Sequence, residues 1–121
     1  MSTKHRDESL RAGVRLRHNR EFRDAYERGR RVVSRYFVAF ILAKRDGGLR
    51  LGVVASRRVG GAVARNRAKR LLREVFRKRK PDRAVSADLV LVARGAINEA
   101  TYWDVDTVYQ RSVRKLVEKI P

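Results

Sequence analysis

Residues 56–80 have the sequence SRRVGGAVARNRAKRLLREVFRKRK, in which apolar and basic side chains recur at helical spacing. Gly60 and Gly61 precede the periodic segment and Pro81 follows it, so we predict a helix over residues 62–79. A helical wheel places six apolar residues on one face: Ala64, Ala68, Leu71, Leu72, Val75 and Phe76. The opposite side carries four basic residues at four-residue steps: Arg65, Lys69, Arg73 and Arg77. Asn66 and Arg70 lie beside them.

The basic face of this helix is the strongest functional signal in the sequence. Eleven of the twenty-four residues from Arg57 to Lys80 are basic, and a single residue, Glu74, is acidic. We expect Glu74 to pair with Arg70, four residues earlier. Most basic helices are simply solvated, but here the repulsion within the segment is left uncompensated. Guanidinium groups spaced one turn apart suit a polyphosphate backbone, so nucleic-acid contact is the favoured interpretation.

The whole chain is also strongly basic. Its 121 residues contain 31 Lys and Arg against 13 Asp and Glu, a formal charge of +18, and 24 of the 31 are arginine. Such an excess is tolerated mainly when a polyanion neutralises it. The absence of cysteine excludes disulfides and thiolate zinc sites, and no segment has the roughly 20 apolar residues of a membrane helix. We expect a cytoplasmic nucleic-acid-binding protein.

Three alternatives share this composition. A membrane-surface protein would need a large apolar helix face opposite the charge, and a DNA-binding regulator would need a helix-turn-helix pair. Neither pattern is evident in the sequence. A structural ribosomal protein would share the charge, the size and the mixed helix and strand content, and composition alone does not separate it from the favoured interpretation.

The N-terminal part predicts a tail followed by a helix. Residues 1–16 are interpreted as a flexible basic tail, and residues 17–121 as a single nucleic-acid-binding domain. A helix is predicted over residues 20–28, with Asn19 as its N-cap and Gly29 as the left-handed residue that closes it.

The middle of the chain predicts strands. Residues 36–43 and 49–55 are rich in β-branched and aromatic residues, and the Asp46-Gly47-Gly48 turn between them predicts an antiparallel pair. Val32-Val33 predicts the start of an additional short strand. Residues 88–93 are nearly all apolar and predict a central, buried strand.

The C-terminal part predicts one long helix over residues 102–119, because Thr101 and Asp104 form a capping-box pattern. Its expected inward face is Val105, Val108, Tyr109, Ser112, Leu116 and Ile120. Tyr102, Trp103 and Tyr109 are interpreted as packing or helix-edge residues. The order helix-strand-strand-(strand)-helix-strand-helix predicts an α+β fold, a two-layer α/β sandwich.

The segment from Ser56 to Glu74 resembles the signature of the bacterial ribonuclease P protein family. That signature is Arg-Asn-Arg-x-Lys-Arg-x-x-Arg-Glu after a Ser-Lys/Arg-Lys/Arg-x-Gly turn, and every core position is present here. The resemblance extends to Glu21-Phe22, to Leu51-Gly52-Val53 and to residues 88–93. Ala68 is smaller than the aliphatic residue often found in the family, which bears on helix stability more than on function.

This resemblance implies a fold and a role. The fold would resemble ribosomal protein S5 domain 2, with a left-handed crossover between parallel strands, an exception to the usual handedness. The chain would be the protein subunit of a ribonucleoprotein that removes the 5′ leader from precursor tRNA. The RNA subunit would perform the hydrolysis with Mg²⁺, and the protein would bind no cofactor but would assist substrate binding at low magnesium.

The resemblance also implies two RNA-binding surfaces. The catalytic RNA would contact Arg57, Arg58, Arg65, Asn66, Arg67, Lys69, Arg70 and Arg73. The single-stranded leader would lie in a cleft lined by Phe22, Tyr26 and Phe40, with Arg65 and Asn66 at its border. Aromatic residues that stack on unpaired bases tolerate any sequence, as different leaders require.

Strand parity limits which aromatic residues share that cleft. Phe37 and Phe40 point to opposite faces of a regular strand, so at most one of them lines the cleft. Phe40 is favoured by its family position and Phe37 is expected in the core. For Phe22, core packing and a place in the cleft remain equally open.

No catalytic constellation is evident in the protein itself. Histidines occur only at positions 5 and 18, and neither has an evident partner. Asp104 and Asp106 are two residues apart on a predicted helix and do not face each other. We interpret all four as solvated surface and expect no metal site.

Overall fold

The computed structural model describes residues 14–121, which form one four-stranded sheet with helices on both faces. In chain order the main elements are α1 (Asn19–Arg28), β1 (Arg30–Val33), β2 (Phe37–Ala43), β3 (Leu49–Val54), α2 (Ala62–Lys78), β4 (Ala87–Ala93), α3 (Tyr102–Tyr109) and α4 (Lys115–Glu118). A 3-10 helix, Gly95–Glu99, precedes α3, and a π-helical segment, Gln110–Arg114, joins α3 to α4. The predicted order of elements and the α+β class are confirmed.

The sheet has the strand order β1-β2-β4-β3. β4 is antiparallel to β2 and parallel to β3, so it separates the two strands that the sequence predicts as a hairpin, and that prediction is wrong. The physical reason is burial: six of the seven residues of β4 are buried, which requires a neighbouring strand on each side. The glycine turn does form, with Gly47 and Gly48 at φ of 96° and 74°. It passes over the start of β4, where Ala87 N donates to Gly48 O at 3.2 Å.

One face of the sheet carries the main core. Alternate strand residues, among them Phe37, Leu51 and Leu91, pack there against α2, α3 and α4. The apolar face predicted for α2 is confirmed, since Ala68, Leu72, Val75 and Phe76 are buried and Ala64 and Leu71 pack at the margin. The sheet and the helices on this face form the predicted two-layer α/β sandwich, and α1 is added on the opposite face.

The other face of the sheet carries α1 and a smaller core. Leu16, Ala25 and Val90 are buried there, with Phe22 and Phe40 packed against them. Leu16 N also donates to Leu51 O at 3.0 Å, at the free edge of β3. Leu16, and Val14 on the main core face, pack with the folded part of the chain, although the sequence prediction places both residues in the N-terminal tail. Residues 1–13 lie outside the described part of the chain.

The ends of α1 differ from the prediction. The helix begins at Asn19 with His18 as the N-cap, and Glu21 accepts hydrogen bonds at 3.1 Å from the backbone nitrogens of Arg17 and His18. Gly29 has extended geometry, with φ of −76° and ψ of 159°, so the predicted left-handed closure is wrong. A side chain is excluded there for a different reason: a Cβ atom at Gly29 would lie 2.5 Å from the carbonyl oxygen of Ala25.

The C-terminal helix begins as predicted and then changes its pitch. Thr101 Oγ1 accepts from Asp104 N at 3.2 Å, and Asp104 accepts from Thr101 N at 2.9 Å, which completes the capping box. The π-helical segment shifts the later turns, so Val113 and Val117 are buried where the sequence predicts Ser112 and Leu116. Wider turns at a π-bulge keep residues spaced by four on one face. No helix within residues 14–121 is long and apolar enough to cross a membrane.

A buried ion-pair network joins α1, β3 and β4. Asp88, 1% exposed, accepts two hydrogen bonds at 3.0 Å from Nε and Nη2 of Arg50 on the parallel neighbour strand. The remaining nitrogen of Arg50 lies 2.9 Å from Glu21 of α1. Burial would raise the pKa of Glu21, but hydrogen bonds from the His18 and Arg17 backbone and from Arg50 outweigh it and lower that pKa to about 2.

The low pKa of Glu21 predicts an acid-sensitive contribution to stability. A carboxylate whose pKa is lowered by folding stabilises the folded state above its unfolded pKa, here 4.5, and this stabilisation is lost as pH falls towards 2. We expect about 1–2 kcal/mol from this group, because solvent screens part of the interaction. Urea unfolding from pH 6 to pH 3 should therefore show a steeper loss in the native protein than in Glu21→Gln. An identical pH dependence of the two proteins would contradict this assignment.

A second buried carboxylate ties α3 to the end of α2. Asp106, 3% exposed, accepts from Nε and Nη2 of Arg79 at 2.8 and 2.7 Å, and from Gln110 at 2.9 Å. Hydrogen bonding to Arg79, the largest influence, lowers its pKa. The interpretation of Asp106 as solvated surface is therefore wrong. Its role is structural, because all three contacts are within the fold.

Candidate nucleic-acid interface

The basic face of α2 is continuous in the structure. Arg65, Lys69 and Arg73 are half-buried along one side of the helix, whereas Asn66 and Arg70 are exposed. Arg57 and Arg58 are exposed in the turn that enters the helix. This turn is held by Val59 N donating to Ser56 O at 3.0 Å, so it presents both guanidinium groups from an ordered backbone.

The like charge of Arg15 acts on Arg73 at the edge of this face. Loss of hydration and, to a smaller extent, the like charge of Arg15 lower the pKa of Arg73. Arg15 reaches this position because it forms a parallel β-bridge with Leu51 at the free edge of β3. Like charges repel each other, and an anion bound to this surface would reduce that repulsion. The sequence prediction missed Arg15, whose position depends on an isolated bridge that no local pattern indicates.

The acid of α2 does not neutralise this surface. Glu74 lies 3.5 Å from Arg77, three residues later, and the predicted pair with Arg70 is wrong. An acid placed N-terminal to its basic partner suits the helix dipole better than the reverse order. Arg70 therefore stays exposed on the basic face.

Arg67, from the same basic segment of α2, makes hydrogen bonds within the fold. Its Nη1 donates to Ile97 O at 3.1 Å and its Nη2 to Ala100 O at 2.7 Å, which fastens the 3-10 helix to α2. Asn98 completes this junction by donating to Val59 O. The sequence assigns Arg67 to the RNA surface only, because the partners of its guanidinium are carbonyl groups thirty and more residues away.

A groove of about 510 Å³ opens between α1 and the end of β3. It is lined by Asn19, Phe22, Arg23, Tyr26 and Val54. Tyr26 is 41% exposed, and its ring meets Phe40 edge-to-face with centroids 4.9 Å apart. Partial burial raises the pKa of Tyr26, so its phenol stays neutral and able to donate a hydrogen bond. The groove therefore combines an accessible aromatic surface with polar groups at its rim.

A glycine on β3 makes room for the floor of this groove. A Cβ atom at position 52 would lie 2.5 Å from Cε1 of Phe22, so only glycine allows the ring to rest on the strand. Phe22 is half-buried: it packs against the small core and also lines the groove. The two places that the sequence left open for Phe22, core and cleft, are therefore both occupied by its ring.

The predicted cleft residues are brought together only in part. Phe22, Tyr26 and Phe40 lie together, and Phe37 is buried in the main core on the opposite face. Arg65 and Asn66 do not line the groove, because α2 packs against the other face of the sheet. Asn19 and Arg23 line it but were not predicted, although their spacing before Tyr26 places all three on one helical face.

The acids and the histidine of the described chain show no metal-ligand grouping. Among residues 14–121, no three His, Asp or Glu side chains lie together in a suitable arrangement. Asp104 caps α3 and His18 caps α1, and His5 lies outside the described residues.

The fold and these two surfaces define a small, basic α+β protein with an arginine-rich helix between parallel strands. A family model described as Ribonuclease P matches residues 10–120. The chain is 46% identical over 89 residues to the ribonuclease P protein component of Desulfovibrio desulfuricans, covering 72% of this chain and 68% of that protein. It is 35% identical over 102 residues to that of a Geobacillus species, covering 84% and 88%.

Solved structures agree with this match. The RNase P protein of Staphylococcus aureus has a TM-score of 0.75 at 27% identity, covering 88% of this chain and 96% of that one. The RNase P protein of Thermotoga maritima has a TM-score of 0.72 at 30% identity, covering 88% and 97%. The chain belongs to the ribonuclease P protein family. As a protein component of ribonuclease P it takes part in tRNA processing, which sets aside the ribosomal-protein and DNA-regulator alternatives.

Proposed function

We propose that the chain binds the RNA subunit of ribonuclease P through α2 and holds the single-stranded 5′ leader of precursor tRNA in the α1 groove. In this arrangement the RNA performs the Mg²⁺-assisted hydrolysis. The protein positions the substrate and neutralises phosphate charge, and it contributes most where magnesium is scarce.

The observation that carries the proposal is the pairing of two unlike surfaces on one small domain. The α2 surface offers charge, with basic side chains one helical turn apart. The α1 groove offers aromatic faces and a few polar groups, which suits unpaired bases. A structured RNA and a single-stranded leader are the two kinds of ligand that these surfaces fit.

The positive charge of the chain supports the proposal that the protein assists substrate binding when magnesium is scarce. The chain carries a formal charge of +18, and every phosphate that it neutralises is one that a bound cation does not need to screen. The protein should therefore replace part of the Mg²⁺ requirement for substrate binding while the catalytic ions stay with the RNA.

The test is cleavage of a leader-bearing precursor tRNA by a bacterial ribonuclease P RNA at low magnesium, with and without the chain. Strong stimulation, with the chain alone inactive, is the expected result. No stimulation and no binding would overturn the proposal, and cleavage by the chain alone would refute the placing of catalysis on the RNA.

Tyr26→Ala tests the groove separately. We expect precursor tRNA to bind about fivefold to a hundredfold more weakly, because stacking on one base contributes roughly 1–3 kcal/mol. Mature tRNA, which has no leader, should bind the holoenzyme with little change. Titration of both substrates against the native protein, Tyr26→Ala and the ring-preserving Tyr26→Phe measures this difference. Equal losses for the two substrates would mean that Tyr26 only packs against Phe40.

A further inference from the structure

Trp103, the only tryptophan in the chain, lies in the first turn of α3 and is 70% exposed. Of the two interpretations that the sequence left open, packing residue or helix-edge residue, the exposure of Trp103 favours the helix edge. A large aromatic side chain contributes most to binding when a ligand removes it from water, and the Trp103 indole has most of its surface available for such a contact.

The indole is held in a defined orientation. The rings of Tyr102 and Trp103 meet nearly at right angles, at 83°, with centroids 5.0 Å apart. An edge-to-face contact covers at most one face of the indole and leaves the other available. Tyr102 is itself half-buried and lies beneath Lys78, whose Nζ is 5.2 Å from the ring centroid. Tyr102 therefore supports one side of the exposed ring.

Lysines contact the aromatic residues next to Trp103: Lys78 lies over the Tyr102 ring and Lys80 lies over the Phe76 ring. Lys78 and Lys80 have no carboxylate within 4.0 Å among the residues that the structure describes. The acids of this region are engaged elsewhere: Glu74 with Arg77, Asp106 with Arg79, and Asp104 with the Thr101 cap. The surface around Trp103 thus joins a free aromatic face to free positive charge.

We propose that Trp103, Tyr102 and Lys78 form a second contact for single-stranded RNA, in which the indole stacks on an unpaired base and Lys78 binds the adjacent phosphate. The inference rests on the proposed function in that it takes RNA as the ligand, but it concerns a different surface. Tyr102 and Trp103 belong to the helical layer on the main core face, whereas the α1 groove opens on the other face of the sheet. A short strand in the groove therefore does not reach Trp103.

Charge favours RNA over a second copy of the chain as the occupant. Two chains that each carry a formal charge of +18 repel each other, and Lys78, which lies over the neighbouring Tyr102 ring, increases this repulsion locally. A nucleic-acid strand supplies both a base for the ring and a phosphate for the ammonium group.

The fluorescence of Trp103 tests the contact directly, because no other residue contributes tryptophan emission. The full chain is titrated with single-stranded RNA of about four nucleotides, the lower end of single-strand site sizes. Anisotropy of a labelled leader oligonucleotide reports groove binding in parallel. We expect salt-sensitive quenching of the emission in the native protein and in Tyr26→Ala, whose groove is impaired.

Variants at the surface complete the test. Trp103→Ala should weaken the short-RNA affinity of the Tyr26→Ala protein about tenfold, and Trp103→Phe should restore most of it. Thr107→Ala, an exposed position one turn later on α3, is the matched control and should change nothing. Because Trp103 is exposed, the melting temperature of each variant should stay near the native value.

The outcomes separate the two proposals. Leader binding in the groove without any change in Trp103 emission would overturn the second contact and leave the proposed function standing. A change in emission with protein concentration in the absence of RNA would show that a second copy of the chain covers the ring. This result would also overturn the proposed second RNA contact. If neither surface binds RNA, both proposals fail.

Discussion

Reversing Arg65, Lys69 and Arg73 to glutamate is expected to abolish assembly with the ribonuclease P RNA while the domain stays folded. Each charge-assisted hydrogen bond to phosphate contributes roughly 1.5–3 kcal/mol, so losing three should weaken binding at least about a thousandfold. The three side chains line one side of α2 and are not part of its buried face. Binding to the RNA at fixed salt, measured by gel shift, and thermal melting of the free protein check the two parts of this expectation.

A matched control variant tests whether the loss of RNA binding is caused by the change in net charge alone. Arg31, Arg45 and Arg111 are exposed on other elements, and reversing them gives the same change in formal charge. This control should bind within about tenfold of the native protein, since charges far from a contact are largely screened. The α2 variant should also show a salt dependence shallower by about two to three in log–log slope. Equal losses in the two triple variants would contradict the assignment of α2 as the RNA surface.

Arg50→Met is expected to cause the largest loss of stability among single substitutions in the buried networks. It removes both hydrogen bonds to Asp88, which is 1% exposed, and leaves that carboxylate inside the protein. Breaking a buried pair in this way costs about 3–5 kcal/mol, a large part of the 5–15 kcal/mol by which domains of this size are typically stable. Urea unfolding at neutral pH measures the change.

A double variant distinguishes an orphaned charge from lost packing. Arg50→Met with Asp88→Leu should recover most of the stability, because a buried ion pair can be replaced by apolar residues at little cost. Arg45→Met, an exposed arginine, should stay within about 0.5 kcal/mol of the native protein. A loss below about 1 kcal/mol in Arg50→Met would indicate that Lys44, 4.0 Å from Asp88, takes over as its partner.

Local features of the fold could be predicted from the sequence, and long-range ones could not. The helix over residues 62–79 and the capping box at Thr101 follow from periodicity and short hydrogen-bonding patterns, which operate within a few residues. The prediction of a β2–β3 hairpin was wrong because burial across the whole sheet determines which strands are neighbours. The buried face of the last helix was predicted wrongly after residue 110, because a π-helical segment changes which residues face inward and has no clear signature in sequence.

The candidate site shows the same division. The basic residues of α2 and the aromatic residues Phe22, Tyr26 and Phe40 were found from their spacing, strand parity and resemblance to the family. The carbonyl contacts of Arg67, the approach of Arg15 to Arg73 and the exposure of Trp103 depend on distant segments. None of these three features could be predicted without the tertiary structure.

The central position of β4 has a consequence for biogenesis. While the chain is being synthesised, β2 and β3 are complete long before their shared neighbour, and a two-stranded β1–β2 hairpin alone is only marginally stable. The basic helix α2 is thus made before the sheet that supports it can close. The sheet can close only after residues 87–93 have left the ribosome, because β4 is the shared neighbour of β2 and β3. A chain truncated at residue 86 should accordingly show no cooperative unfolding transition.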